Sequence, residues 1–178
     1  IDDALIPQLV ASISSTVMST EVGRARAHSL PNLQGYTLML GAVALMHRNA
    51  LADFHRAKEM LDHLVDRSRR HPVPYAWIAQ WHVLKVQQGW STDPAREAQL
   101  ALDCTKRALD NAPDCAVALS AEGFVYTNLL RQLDAGSARY DSALQINPNG
   151  AHAAVYHGQP ISQDMGDTRL QILSGLSY

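Results

Sequence analysis

The stretch ALDCTKRALDNAPDCAVALSAEGFVYTNLLRQLDAGSARYDSALQINPNGAHAAVYHG, residues 101–158, contains an internal repeat. A shift of 35 residues places Ala108-Leu109 on Ala143-Leu144 and Pro113 on Pro148. The same shift also aligns small residues, since Ala116, Ala118 and Gly123 fall on Ala151, Ala153 and Gly158. Small residues at helical spacing let two helices approach closely, and a proline ends a helix. This stretch therefore predicts helix-turn-helix units.

The small and aromatic residues of one unit follow a known pattern. In the first helix Gly123 is followed three residues later by Tyr126. The second helix carries, at successive spacings of four, three and five residues, Gly136, Tyr140, Ala143 and Pro148. This pattern resembles the tetratricopeptide repeat. The resemblance implies an all-α fold, an α-solenoid of antiparallel helix pairs that stack into a superhelix.

Three further segments extend the resemblance along the chain. They are Leu33-Gln34-Gly35-Tyr36, Gly89-Trp90-Ser91-Thr92-Asp93-Pro94 and Ala143-Leu144-Gln145-Ile146-Asn147-Pro148-Asn149. Their order is similar to that in the carboxy-terminal region of bacterial multidomain regulators, where a class III adenylate/guanylate cyclase domain or a winged-helix DNA-binding domain precedes the repeats. Because the sequence starts at Ile1 rather than at a methionine, we expect a fragment of such a parent.

The chain divides into a short amino-terminal segment and a repeat domain. Residues 1–30 are predicted to form an extra lead-in or capping helix, and residues 31–178 the repeats. The predicted units span about 32–70, 72–112, 114–147 and 149–178. Pro160 would interrupt a helix in the last unit, so this unit matches the pattern least well.

Local signals give bounds for several helices. The predicted helices run from about Leu51 to Ser68, Pro94 to Asn111, Cys115 to Leu130 and Asp134 to Ile146. Asp93 followed by Pro94 indicates a helix start, because the carboxylate caps free amides and proline suits the first turn. By the same argument Asp114, after Pro113, is expected to cap the following helix.

Composition and charge exclude several classes of protein. The 178 residues carry a net charge of -2 with a pI of about 6.5, which does not suit a surface that displaces counterions from nucleic acid. No apolar run reaches the roughly 18 residues of a membrane span. The two cysteines, Cys104 and Cys115, form no framework typical of a small secreted domain. These features favour a cytoplasmic protein that binds neither nucleic acid nor membrane.

The chain lacks motifs that carry chemistry. None of the eight histidines belongs to an HExxH or Cys-His pattern, and there is neither a GxSxG sequence nor a Gly-rich phosphate loop. His82 lies in an apolar helix, where a satisfied core or groove histidine is more typical than a metal ligand. We therefore expect no metal, no cofactor and no enzyme active site in this segment. A catalytic cyclase domain upstream in the parent is compatible with the resemblance.

Three tryptophans leave two interpretations open. Trp77 and Trp81 lie one helical turn apart. They either pack in the core or between repeats, or they form a platform that faces a ligand. Trp90 is expected to hold the loop before Pro94 against the helices.

The predicted functional surface is a concave groove. In stacked helix pairs the first helices line such a groove. Its predicted residues, which contact a protein or peptide partner, are Gln80, Val83, Ser120, Phe124, Thr127, Asn128, His152 and Gln159. The alternative is that these are ordinary exposed residues or face a neighbouring helix.

The sequence thus predicts a protein-protein interaction or regulatory scaffold module of a larger bacterial signalling or transcription-regulating protein. Its partner is another protein, a peptide or the parent's own upstream domain. One alternative is a small-molecule sensor built on the same superhelix around the three tryptophans. Another is self-association into a homo-oligomer through an uncapped end of the solenoid.

Overall fold

The computed structural model describes residues 35–147, which form six α-helices and no strand. The helices are α1 (Gly35–Met46), α2 (Leu51–Arg67), α3 (Pro72–Gln87), α4 (Pro94–Asn111), α5 (Ala116–Asn128) and α6 (Leu133–Ile146). The all-α class is confirmed for this range. The predicted helix in residues 1–30 and the predicted unit 149–178 lie outside the described residues.

The helices pack as consecutive pairs. Helix α1 packs against α2, α3 against α4, and α5 against α6. Helix α3 also packs against both α1 and α5, while α2 and α4 each contact the first helix of the next pair. Connections of four to six residues join neighbouring helices, so each pair runs antiparallel. The predicted tetratricopeptide-like stack of helix hairpins is confirmed for these residues.

Two predicted helix starts, at Asp93 and at Asp114, can be compared with the structure. The Asp93 carboxylate accepts a hydrogen bond of 3.0 Å from the Arg96 amide, and α4 runs from Pro94 as predicted. The predicted cap at Asp114 is wrong, because Cys115 is the N-cap of α5 and makes no side-chain cap hydrogen bond. The Cys115 amide instead donates to the Ala112 carbonyl at 3.1 Å, and this turn leaves Asp114 one residue short of the cap.

The first and second helices of each pair differ in polarity. Helix α2 buries Phe54, Ala57 and Leu61 on one face, while Lys58 and Asp62 form an ion pair of 2.6 Å on its exposed side. In α3, by contrast, every side chain from Pro74 to Leu84 is buried. A helix that is apolar all round belongs in the interior, whereas an amphipathic one covers it. The first helices therefore form the inner part of the stack.

Two glycines bring α5 and α6 together. A Cβ added at Gly136 would lie 2.4 Å from Thr127 Cγ2 and 3.1 Å from the Gly123 carbonyl oxygen. A Cβ at Gly123 would lie 2.8 Å from the ring of Tyr140, which is buried beside it. The distances to Thr127 and Tyr140 are too short for a methyl group, so the small residues at positions 123 and 136 set the separation of the two helices.

We expect Gly136→Ala to lower the free energy of unfolding by about 1–3 kcal/mol, because overpacking at the interface outweighs the better helix propensity of alanine. Urea unfolding monitored by circular dichroism measures the change. Gly35→Ala is the control, since its Cβ would make an ordinary contact of 3.7 Å with Leu64 Cδ2 and should cost little. Equal stability of Gly136→Ala and the unaltered protein would contradict the close approach.

Candidate functional site

The tryptophans pack into the interface between the first two helix pairs. Trp81 stacks on Phe54 with ring centroids 4.6 Å apart, and its indole N–H donates to the Phe54 carbonyl at 2.9 Å. Trp90 is partly buried and meets Phe54 edge-on at 4.8 Å, which confirms that it holds the loop before α4. Trp77 is buried in the same cluster. The packing interpretation is therefore confirmed for Trp77 and Trp81.

A buried polar network lies beside this aromatic cluster. The Glu97 carboxylate, 8% exposed, contacts His82 Nδ1 at 2.5 Å through Oε2 and accepts from Lys85 Nζ at 2.6 Å through Oε1. The Ser91 hydroxyl lies 3.3 Å from the same Oε1. The network consequently ties α3, α4 and the loop between them to one carboxylate. The prediction of a satisfied, buried histidine at His82 is confirmed.

Burial and the contacts between His82, Lys85 and Glu97 have opposing effects on the pKa values in this network. Burial lowers the pKa of His82 more strongly than the neighbouring Glu97 carboxylate raises it. Burial alone would raise the pKa of Glu97, but hydrogen bonds from Lys85 and His82 reverse this and leave it lowered. Glu97 is therefore ionised and paired with the Lys85 ammonium, while a neutral His82 donates its Nδ1–H. Such a network orders the backbone and lacks an activated nucleophile.

Among the predicted groove residues, Thr127 and Asn128 come together at the carboxyl end of α5. The Asn128 amide donates to the Phe124 carbonyl at 3.0 Å and to Thr127 Oγ1 at 2.9 Å. Its Oδ1 accepts from Gln87 Nε2 at 2.8 Å, which links the ends of α5 and α3. We refer to Gln87, Thr127 and Asn128 as the amide cluster.

The other predicted groove residues have different environments. Val83 and Phe124 belong to the core between α3, α4 and α5. Gln80 and Ser120 are each 5% exposed, so neither side chain offers a free surface in this arrangement. His152 and Gln159 lie outside the described residues.

Four residues of this region were not singled out by the sequence. They are Gln87, Glu97, Glu122 and Arg139. Glu97 lies directly before Ala98 on the buried stripe of α4, and an acid on such a stripe signals a buried partner. Glu122 is likewise buried in an apolar helix, where it pairs with Arg139 across α5 and α6. The partners of these two acids are distant in sequence, so no local pattern predicts the pairing.

The described residues offer little other chemistry. Within residues 35–147 no three histidine, cysteine or acidic side chains gather as a metal would require. Burial raises the pKa of the Cys104 thiol to about 11, so this cysteine is not an activated nucleophile at neutral pH. None of the helices α1 to α6 combines the length and apolarity that crossing a bilayer demands.

We expect Glu97→Gln to lower the free energy of unfolding by about 2 kcal/mol, because it leaves Lys85 without its counter-charge in a poorly solvated position. Glu59→Gln is the matched control, since Glu59 pairs with Arg56 on an exposed surface and such pairs contribute about 0.5 kcal/mol. Chemical unfolding of both variants measures the difference. Equal losses would show that the network does not stabilise the fold.

The lowered pKa of His82 predicts a pH dependence of stability. Below the unfolded-state pKa of 6.5 the unfolded chain binds a proton at this position more readily than the folded one, so falling pH favours unfolding. The lowered pKa of Glu97 acts in the same direction at lower pH. In His82→Gln the loss of stability between pH 7 and pH 5 should therefore be smaller than in the unaltered protein. His71→Gln, at an exposed histidine, is the control, and parallel profiles for His82→Gln would contradict the prediction.

Comparison with known proteins gives structural similarity only. No protein-family model matches the sequence, and no curated protein matches it. The chain is similar to the solved structure of a MamA RS-1 ArsTM double mutant, with 16% identity, a TM-score of 0.45 and coverage of 99% of this chain and 93% of that chain. A crystal structure of MamA gives 18% identity and a TM-score of 0.43, with coverage of 92% and 86%. MamA from residue 41 to its end, from Desulfovibrio magneticus RS-1, gives 16% identity and a TM-score of 0.45, with coverage of 99% and 94%. Because these TM-scores are below 0.5, the description of the fold rests on the helix packing itself.

Proposed function

We propose that this chain is a protein-interaction module that acts within a larger bacterial signalling or transcription-regulating protein. The observation that carries the proposal is the hydrogen bond of 2.8 Å between Gln87 and Asn128, which joins the ends of two first helices at an exposed position. Stacked hairpins that align polar groups across successive units provide an extended surface for a partner chain. No catalytic step is assigned to these residues.

The amide cluster is suited to binding a peptide backbone. Gln87 is exposed, and Oε1 of its side chain takes no hydrogen bond from the described residues. An amide presents both donors and acceptors, which matches the alternating N–H and C=O groups of an extended chain. Phe124 and Thr127 hold the Asn128 side chain, and Asn128 in turn holds Gln87. Because both side chains are already ordered, they lose little conformational entropy when a partner binds. The predicted groove residues His152 and Gln159 remain part of the proposed surface.

The proposed partner is another protein or the parent's own upstream domain, and a cyclase-like parent remains the proposed context.

The packing of the three tryptophans argues against the sensor alternative, which requires their rings to face a ligand. A fluorescence titration against a metabolite panel separates these functions. A saturable shift of tryptophan emission with the isolated monomer would favour the sensor. Sedimentation at several protein concentrations tests the self-association alternative, which requires the apparent mass to rise with concentration.

We expect the double variant Gln87→Ala, Asn128→Ala to bind its protein partner about tenfold more weakly, because about two hydrogen bonds worth roughly 0.5–1.5 kcal/mol each are lost. The partner is captured from the source organism with the unaltered chain, purified and then titrated by calorimetry. Gln145→Ala on the exposed side of α6 is the control and should bind normally. Failure to isolate a partner that binds the unaltered chain directly, or equal affinity of the double variant, would refute the proposal.

A further inference from the structure

The Glu97 carboxylate binds two nitrogen groups at once. His82 Nδ1 lies 2.5 Å from Oε2, and Lys85 Nζ lies 2.6 Å from Oε1. The side chains of His82 and Glu97 are 10% and 8% exposed, whereas that of Lys85 is 26% exposed. Of the two groups on Glu97, the Lys85 ammonium is therefore the one that rotation of its own side chain can carry into water.

Few other charges act on His82. Those that influence its protonation come from three helices and are Glu97 of α4, Lys85 of α3 and Lys58 of α2. Lys58 is itself paired with Asp62 at 2.6 Å. His55 of α2 is a further titratable group nearby, and its ring centroid lies 6.3 Å from that of Trp81. Helix α2 therefore adds one positive charge to the surroundings of His82.

The remaining helices packed against α3 add no charge to this site. Helix α1 contains no acidic, basic or histidine residue, and Glu122 of α5 pairs with Arg139 of α6. Within residues 35–147 Glu97 is thus the one carboxylate that favours a charge on His82.

A proton on His82 upsets the charge balance around Glu97. With a neutral imidazole, one ammonium faces one carboxylate. With an imidazolium, two cations face the same carboxylate in a site that water reaches poorly, and Lys58 adds a third positive charge nearby. Repulsion between like charges is strong where the effective dielectric constant is low. The site returns to balance when the more exposed of the two cations moves into solvent.

We propose that His82 and Lys85 form a proton-driven switch, in which the protonated imidazole retains the Glu97 carboxylate and the Lys85 ammonium is released into solvent. The proton binds at Nε2, because Nδ1 already donates its own hydrogen to Glu97. Burial lowers the pKa of His82 below its usual value of 6.5, so the switch responds to acidification. The lowered pKa of Glu97 keeps this carboxylate ionised as His82 takes up the proton.

The released ammonium changes the charge at the carboxyl end of α3. Lys85 and Gln87 both belong to the last turn of this helix, so acidification adds a free positive charge near the amide cluster. This consequence rests on the proposed function. The exchange of cations at Glu97 does not depend on it.

The test is a pH titration of the full chain followed by NMR. The chain contains three lysines, so lysine labelled at Cε gives three signals, which Lys→Arg substitutions assign to Lys58, Lys85 and Lys106. Lys85 Nζ lies 5.4 Å from the centroid of the Trp81 ring, so its Hε signals carry a ring-current shift that release removes. As the pH falls from 7, we expect the Lys85 signal to move to the free-lysine position with the same midpoint as His82 Hε1, while the exposed Lys106 stays unchanged.

Two results of this titration would overturn the proposal. One is proton uptake by His82 without any movement of the Lys85 signal. The other is unfolding of the chain before His82 takes up its proton, seen as loss of helical circular dichroism.

Two variants separate the exchange from simple titration. Lys85→Met removes the competing cation and should raise the affinity of His82 for a proton about tenfold, because nearby charges act strongly through poorly solvated protein. Lys106→Met, at an exposed position of α4, is the matched control and should leave this affinity unchanged. His82→Gln keeps Glu97 and Lys85 and should abolish the movement of the Lys85 signal between pH 7 and pH 5. Unchanged proton affinity in Lys85→Met, or unchanged movement in His82→Gln, would refute the switch.

The titration needs no partner, so its outcome is independent of the proposed function. The double variant Gln87→Ala, Asn128→Ala should switch with the same midpoint, because its residues lie outside the network at Glu97. A shifted midpoint in that variant would contradict the assignment. Once a partner is purified, its affinity should depend on pH with the unaltered chain and less so with Lys85→Met, and equal pH dependence would overturn the effect on the binding surface.

Discussion

The structure depends on the requirement that apolar first helices be covered on every side. Helix α3 buries all side chains from Pro74 to Leu84, which include two tryptophans and a histidine. No single partner helix covers such a surface, so α3 packs against α1, α2, α4 and α5. The second helices meet this requirement with one apolar face each and leave their polar faces in water. Repetition of the pairs follows from this division, because each inner helix needs neighbours that only further pairs supply.

Burial on this scale is costly for polar groups, and the two buried acids show two different solutions. Glu97 is held by Lys85, His82 and Ser91, so its charge is stabilised from several directions. Within residues 35–147 Glu122 is paired with Arg139 alone, and the pKa values of the two carboxyls accordingly shift in opposite directions. A buried acid with several hydrogen-bond partners stabilises one fold, because each partner offsets part of the cost of burying the charge. Both carboxylates therefore join neighbouring helices, Glu97 within the pair of α3 and α4 and Glu122 within the pair of α5 and α6.

Local sequence signals predicted the helices well and the surface poorly. The bounds of α4 and the cap at Asp93 follow from residues that are adjacent in the chain, and they agree with the structure. Whether Gln80 or Ser120 is exposed depends instead on which helices pack over it, and both are buried. The bond between Gln87 and Asn128 spans 41 residues, so its existence depends on how the pairs are stacked. The burial of Glu97 could nonetheless have been predicted from the sequence, because this charged residue lies on the stripe of small residues that α4 buries.

The same geometry limits where a partner can bind. Because the inner helices are buried along most of their length, their exposed polar groups lie near their carboxyl ends, as Gln87 and Asn128 do. Among the described helices, a second accessible place is the seam where a second helix meets the next first helix, because two convex helix surfaces leave a furrow between them. A recess of about 370 Å³ between α4 and α5, lined by residues that include Leu102, Asp103 and Tyr126, is such a furrow.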